Sequence, residues 1–163
     1  MKLAAVIFAL VIATQAQEVP KKQYVSQVTT PRVSVAGAKT VAVELKFAIQ
    51  PEMHINSNHP NTDNLIPTKL TLDLPTDLSV VKTIYPAGKD FSFPFDPTEK
   101  LNVYTGEFPI ILQVRPAHGA SAGPLKVHGE LQYQACNDRA CFPPKKLPVE
   151  FEVTVLKTKS RRR

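Results

Sequence analysis

An all-β fold, an immunoglobulin-like antiparallel β-sandwich, is predicted by three features of this sequence. Apolar residues recur at every second position over several stretches of strand length, which is the period of a half-buried strand. Fifteen prolines fall among 163 residues, spaced so that no helix of ordinary length fits without interruption. Turn-forming residues separate the apolar stretches at intervals typical of two packed sheets.

In chain order, Met1-Lys2, the apolar run Leu3 to Ala13 and the exit Thr14-Gln15-Ala16 form the pattern of a secretory signal with cleavage after Ala16. The run is well short of the roughly 20 apolar residues that a spanning helix needs, and no later stretch is longer, so no transmembrane segment is expected in the mature chain. Residues 17–23 are polar and carry Pro20, as a flexible lead-in would. A single domain is expected over 24–156, a length that supports one core and not two.

The clearest strand begins after Thr40. Val41, Val43, Leu45, Phe47 and Ile49 fall on one face, with Ala42, Glu44, Lys46, Ala48 and Gln50 on the other. Leu70, Leu72 and Leu74 repeat the pattern, as do Leu125, Val127, Gly129, Leu131 and Tyr133, and then Val149, Phe151, Val153 and Val155. Apolar runs at 78–84 and 108–114 complete a set of about seven or eight strands. There is no tryptophan, and the two cysteines lie too close together to bridge the sheets as in antibody domains, so the sandwich is of another type.

The formal net charge is +6, but much of the excess sits in Lys157, Lys159, Arg161, Arg162 and Arg163, read as a solvated, disordered tail over 157–163. An exported chain without a basic, aromatic-studded stripe in its body gives no support for a nucleic-acid partner. His54, His59, His118 and His128 are scattered, and none is paired at ligand spacing, so no metal and no other cofactor is expected. A nucleophile elbow and a glycine-rich phosphate loop are both absent.

The chemistry is concentrated in the two cysteines, in Cys136-Asn137-Asp138-Arg139-Ala140-Cys141. Asn137 and Asp138 favour a reversal, and the four-residue loop is expected to set the cysteines opposite each other at about 5.5 Å between Cα atoms, within disulfide range. Export would let the bond persist. Spacing alone favours a structural staple, but the loop-entropy model gives only about 2 kcal/mol for so short a loop, against nearly 5 for one of about 100 residues. The alternative is a bond that opens and reforms. Arg139, Lys145 and Lys146 would lower a thiol pKa and burial would raise it, so the sequence leaves the reactivity open.

One resemblance bears on that choice. Tyr133-Gln134-Ala135-Cys136-Asn137-Asp138-Arg139-Ala140-Cys141-Phe142-Pro143-Pro144 is similar almost residue for residue to the cysteine segment of the N-terminal periplasmic domain of the thiol:disulfide interchange protein DsbD, the disulfide bond corrector domain. His54-Ile55-Asn56, Leu65-Ile66-Pro67-Thr68, Tyr85-Pro86 and Val103-Tyr104-Thr105-Gly106 match further landmarks in order, so the resemblance spans about residues 24–156.

It implies an immunoglobulin-like sandwich in which Cys136 and Cys141 form a reversible disulfide. That pair would pass reducing equivalents to or from extracytoplasmic thiol-disulfide proteins, in the periplasm or outside the cell. The family shields its cysteines with an aromatic-bearing loop. The matching region is 89–95, where Phe91 or Phe93 would be the cap, with Tyr133 and Arg139 as supporting residues. Some full-length members have a longer gap between the cysteines and continue into a membrane conduit and a thioredoxin-like domain. This sequence ends at Arg163 without them, so a separate membrane electron donor is expected. The rival is a non-enzymatic protein-binding sandwich whose disulfide is fixed.

Overall fold

The computed structural model describes residues 22–93 and 96–157. The expected signal, residues 17–21 of the lead-in and 158–163 of the tail lie outside them. Among the described residues the regular structure is all strand, and no helix is long and apolar enough to cross a membrane.

The strands are β1 (Val25–Gln27), β2 (Arg32–Ala36), β3 (Val41–Ile49), β4 (His54–Asn56), β5 (Lys69–Asp73), β6 (Leu78–Ile84), β7 (Lys89–Phe93), β8 (Asp96–Thr105), β9 (Glu107–Pro116), β10 (Gly123–Tyr133), β11 (Ala135–Cys136) and β12 (Lys145–Leu156). They form three four-stranded sheets, ordered β1-β3-β9-β6, β2-β12-β10-β5 and β11-β4-β8-β7. The first two make the sandwich. Pairing is antiparallel except between β2 and β12, which run parallel.

Alternation places the core where the sequence puts it. Val43, Leu45 and Phe47 of β3 are fully buried, as are Ile110, Leu112 and Val114 of β9, and they pack with Val127, Leu131 and Tyr133 of β10 and Val149, Phe151 and Val153 of β12. Burying each of these side chains contributes about 1.5–3 kcal/mol, so the interleaved faces supply most of the favourable energy of the fold. Gln27 links the two sheets: its side-chain amide donates to Glu150 O at 2.8 Å and its Oε1 accepts from Glu150 N at 3.1 Å. These bonds satisfy β12 at a point that β2 does not reach, because β2 pairs only with 152–156.

The third sheet departs from the simple two-sheet expectation, and it carries the cysteines. β10 and β12 pair without a break from Gly123↔Val155 to Tyr133↔Lys145. Beyond Tyr133 the chain leaves this ladder, and β11 joins β4 instead, with Ala135 opposite Ile55 and Cys136 opposite His54. Pro143 and Pro144 have no N–H to donate, which keeps the segment out of the ladder until β12 starts at Lys145.

Candidate functional site

The cysteine segment is a small hairpin standing at the end of the β10–β12 ladder. Asn137 N donates to Ala140 O at 3.0 Å and Phe142 N to Ala135 O at 2.8 Å, so the two backbone bonds bracket the cysteines. Asn137 Oδ1 accepts from the amides of Arg139 and Ala140, both at 2.9 Å, closing the turn from inside. Cys136 and Cys141 therefore face each other at a non-hydrogen-bonded position of the ladder, where strands approach most closely. They are joined as a disulfide with Cα atoms 4.0 Å apart, closer than the roughly 5.5 Å expected for a hydrogen-bonded pair.

Their surroundings differ sharply. Cys136 is 0% exposed and packs with Leu101 and Val103 of β8, with Leu65 and Phe91 against them, whereas Cys141 is exposed. The difference follows from topology: Cys136 is covered by the third sheet, and Cys141 is on the outer limb of the hairpin. A reagent in solution meets the sulfur of Cys141 first.

On the covered side, His54 of β4 is the ladder partner of both Cys136 and Thr105. Its ring lies 4.2 Å from that of Phe91, centroid to centroid. Burial lowers the His54 pKa below its usual value and so favours the neutral imidazole. The hydrogen bonds around Asn56 hold this layer in place. Asn56 Nδ2 donates to Ile66 O at 3.0 Å and to Gln134 Oε1 at 3.1 Å, and Gln134 Oε1 also accepts from Ile66 N at 3.2 Å. Leu70 N donates to the Tyr85 hydroxyl at 2.9 Å, and the Tyr104 hydroxyl sits between Asn58 and Pro86. The landmark segments at 54–56, 65–68, 85–86 and 103–106 are thus parts of one structure around the cysteines.

A cavity of about 910 Å³ opens beside the hairpin, lined by Met53, His54, Phe91, Thr105, Asn137 and Arg139 among others. Glu52 is also on its wall. It occupies the left-handed region at φ 64° in a turn closed by Met53 N to Gln50 O at 3.2 Å, a conformation that favours glycine.

The four supporting candidates are placed differently. Phe91 is on β7, against the cluster that contains Cys136. Phe93 ends β7, and its side chain lies outside the described part of the structure. Tyr133 is buried, its hydroxyl accepting from Tyr24 N at 3.1 Å and donating to Gln23 Oε1 at 2.7 Å, so it anchors the start of β1 and makes no bond to sulfur. Arg139 is exposed at the tip of the loop, 3.9 Å from Asp138. His54 and the stack of Tyr24 on Phe142, with ring centroids 5.0 Å apart, were not legible as neighbours of the cysteines. The His54-Ile55-Asn56 landmark was the one signal that pointed there.

A β-sandwich with a third sheet that buries one cysteine and leaves its partner exposed, joined within a six-residue hairpin, defines a disulfide-bearing β-sandwich domain. The particular family follows from comparison: the model of "Thiol:disulfide interchange protein DsbD, N-terminal" matches residues 21–152, and the chain belongs to that family. Among solved structures, the N-terminal periplasmic domain of ScsB from Proteus mirabilis is 15% identical with a TM-score of 0.50, and the match covers 82% of this chain and 48% of that one. The DsbD N-terminal domain of Neisseria meningitidis in its reduced form is 21% identical with a TM-score of 0.41, over 72% of this chain and 80% of that one. A type I cohesin from Pseudobacteroides cellulosolvens is 12% identical with a TM-score of 0.47, over 82% and 93% of the two chains. No curated protein matches the chain.

Proposed function

We propose that this chain works outside the cytoplasm, in the periplasm or as a secreted protein, passing electron pairs through Cys136 and Cys141 to or from partner thiol-disulfide proteins. The observation that carries this reading is the asymmetry of the pair: a solvent-facing Cys141 bonded to a fully buried Cys136 within one short hairpin.

In the reducing direction, the Cys141 thiolate attacks a partner disulfide, forming a mixed disulfide and releasing one partner thiolate. Cys136 then loses its proton and attacks the Cys141 sulfur. The second partner thiolate leaves, and Cys136 and Cys141 are joined. Two electrons pass to the partner, whose two thiolates take up protons. Recharging reverses these steps, with a donor thiolate attacking Cys141, and the donor is a separate protein, in our reading one held in the membrane. Phe91 acts as the cap in this mechanism, covering the buried sulfur and keeping small thiols and solvent from the resolving cysteine.

The test is the reduction potential of the pair, measured by equilibration with glutathione buffers, together with trapping by single-cysteine variants. A potential between about −180 and −270 mV is expected, with a mixed disulfide accumulating on Cys141 in the Cys136→Ala protein and not on Cys136 in the Cys141→Ala protein. A potential below about −300 mV would identify a structural staple and leave the protein as a binding module.

A further inference from the structure

On the other flank of the hairpin lies a second groove, of about 510 Å³, which shares no lining residue with the first. Its walls are Gln23, Tyr24, Phe142, Pro143, Pro144, Lys145 and Lys146. It starts at the residue after the exposed Cys141, which puts it next to the cysteine that a partner would reach.

The stacked rings of Tyr24 and Phe142 give the groove an apolar floor. Pro143 and Pro144 stiffen one wall, so an incoming segment meets a surface that is already ordered. At the groove, Lys145 has its ammonium 5.6 Å from the centre of the Tyr24 ring, and Lys22, which precedes the groove residue Gln23, has its own 5.5 Å from the same centre. Among the described residues neither forms an ion pair, whereas neighbouring Lys146 is held by Glu130 at 2.8 Å. Two like charges beside one ring repel each other, and the attraction of the ring for each cation offsets that in part. An anion bound beside the ring would offset the repulsion. The first cavity has the reverse character, because its lining includes Glu52 together with Asp138 and Arg139, which pair with each other.

We infer that this groove receives the segment next to the reactive cysteine of a partner protein, and that the segment carries a carboxylate beside an apolar side chain. The inference rests on the exchange reading above, which it extends by fixing the charge and direction of the incoming chain. Lys22 and Lys145 take the carboxylate, Tyr24 and Phe142 take the apolar group, and the partner sulfur is then at Cys141.

The experiment uses the reduced mature protein and three symmetric disulfide-linked peptides, alike except that glutamate, glutamine or lysine follows a leucine beside the cysteine. Bis(2-hydroxyethyl) disulfide serves as the uncharged control. The glutamate peptide is expected to be reduced about tenfold faster than the lysine peptide, the low end of electrostatic steering, with the gap closing in high salt. Comparing protein variants on the same peptide cancels that peptide's own reactivity. The Lys22→Gln/Lys145→Gln protein should lose the preference, and Lys82→Gln/Lys126→Gln, which removes the same charge outside the groove, should keep it. Equal rates for all three peptides, or loss of the preference in both double variants, would overturn the inference while leaving exchange intact. Failure to reduce even the uncharged disulfide would instead overturn the exchange reading itself.

Discussion

Reducing the Cys136–Cys141 bond should leave the domain folded and only slightly less stable. The bond closes a loop with a sequence separation of 5, so it removes little freedom from the unfolded chain. The loop-entropy relation gives about 2.2 kcal/mol at 25 °C for six residues. The native side of the balance adds little, because Cys136 stays packed among Leu101, Val103 and Phe91 whether or not it is bonded, and Cys141 is already in solvent. At about 2.1 cal/mol/K of unfolding entropy per residue, over roughly 135 residues, this corresponds to a fall in Tm of about 7–8 °C. By the thermodynamic cycle the same 2.2 kcal/mol makes the bond harder to reduce in the folded protein than in the unfolded chain by only about 50 mV. Thermal or urea unfolding of the oxidised and fully reduced protein, followed by circular dichroism, measures the difference. A loss above about 4 kcal/mol, or unfolding on reduction, would refute the reasoning, because a domain that needs its disulfide to fold cannot cycle through the reduced state.

Three further outcomes follow from the packing. A Cβ on Gly129 would lie 2.4 Å from the backbone oxygen of Thr71 in the neighbouring strand, so Gly129→Ala should destabilise by about 1–3 kcal/mol in denaturant unfolding; a neutral result would mean that β5 moves freely away from β10. Tyr133→Phe removes the acceptor for Tyr24 N and should cost about 1–2 kcal/mol of stability with the reduction potential unchanged; a shifted potential would show that Tyr133 acts on the cysteines after all. His54 titrates below its usual 6.5 in the folded protein because burial disfavours its charge. Between the folded and unfolded values the unfolded chain therefore binds the extra proton, and stability falls as pH drops below about 6.5 and is insensitive to this group above it. Unfolding free energies at pH 7.5, 6 and 5 should decline for the native protein and decline less for His54→Gln; parallel curves would remove His54 as the cause.

The long strands could be read from the sequence because their side chains answer to one partner sheet. Val43, Leu45 and Phe47 alternate with Glu44 and Lys46 since one face meets β10 and β12 and the other meets water, and the same holds for 149–155. The third sheet does not announce itself this way. β4 has three residues and β11 two, too few for a period, and all three of β4 are buried, so no face stands out. Such short strands exist only through what they pair with. That is why the cysteine spacing was legible while the contrast between the two sulfurs was not: burial of Cys136 depends on the chain leaving β12 for β4 after Tyr133, a choice made by tertiary contacts. The Cα atoms of the cysteines lie 4.0 Å apart and not at the expected separation of about 5.5 Å for a related reason, since a four-residue loop does not itself dictate whether the flanking pair sits at a hydrogen-bonded or a non-hydrogen-bonded position.

The same departure from the ladder bears on how a stable sandwich could host the reversible bond we propose. The unbroken pairing of β10 with β12 fixes both ends of the excursion, at Tyr133 and Lys145. Between those points the segment is held by the two backbone bonds and the Asn137 side chain within the hairpin, by the pairing of β11 with β4, by the bonds of Gln134 to Asn56 and Ile66, and by the stack of Phe142 on Tyr24. Local opening scales with the interactions that must be broken, and the turn Asn137 to Ala140 carries few of them. In the proposed mixed-disulfide step, moving Cys141 away from Cys136 need break only the Asn137 N to Ala140 O bond of the turn, while the Tyr24–Phe142 stack and Cys136 against β4 stay in place. An inter-sheet bridge would offer no such division, because opening it would pull on the strands that form the core. In the proposed exchange, the position of the pair at a strand switch matters more than the chemistry of its neighbours.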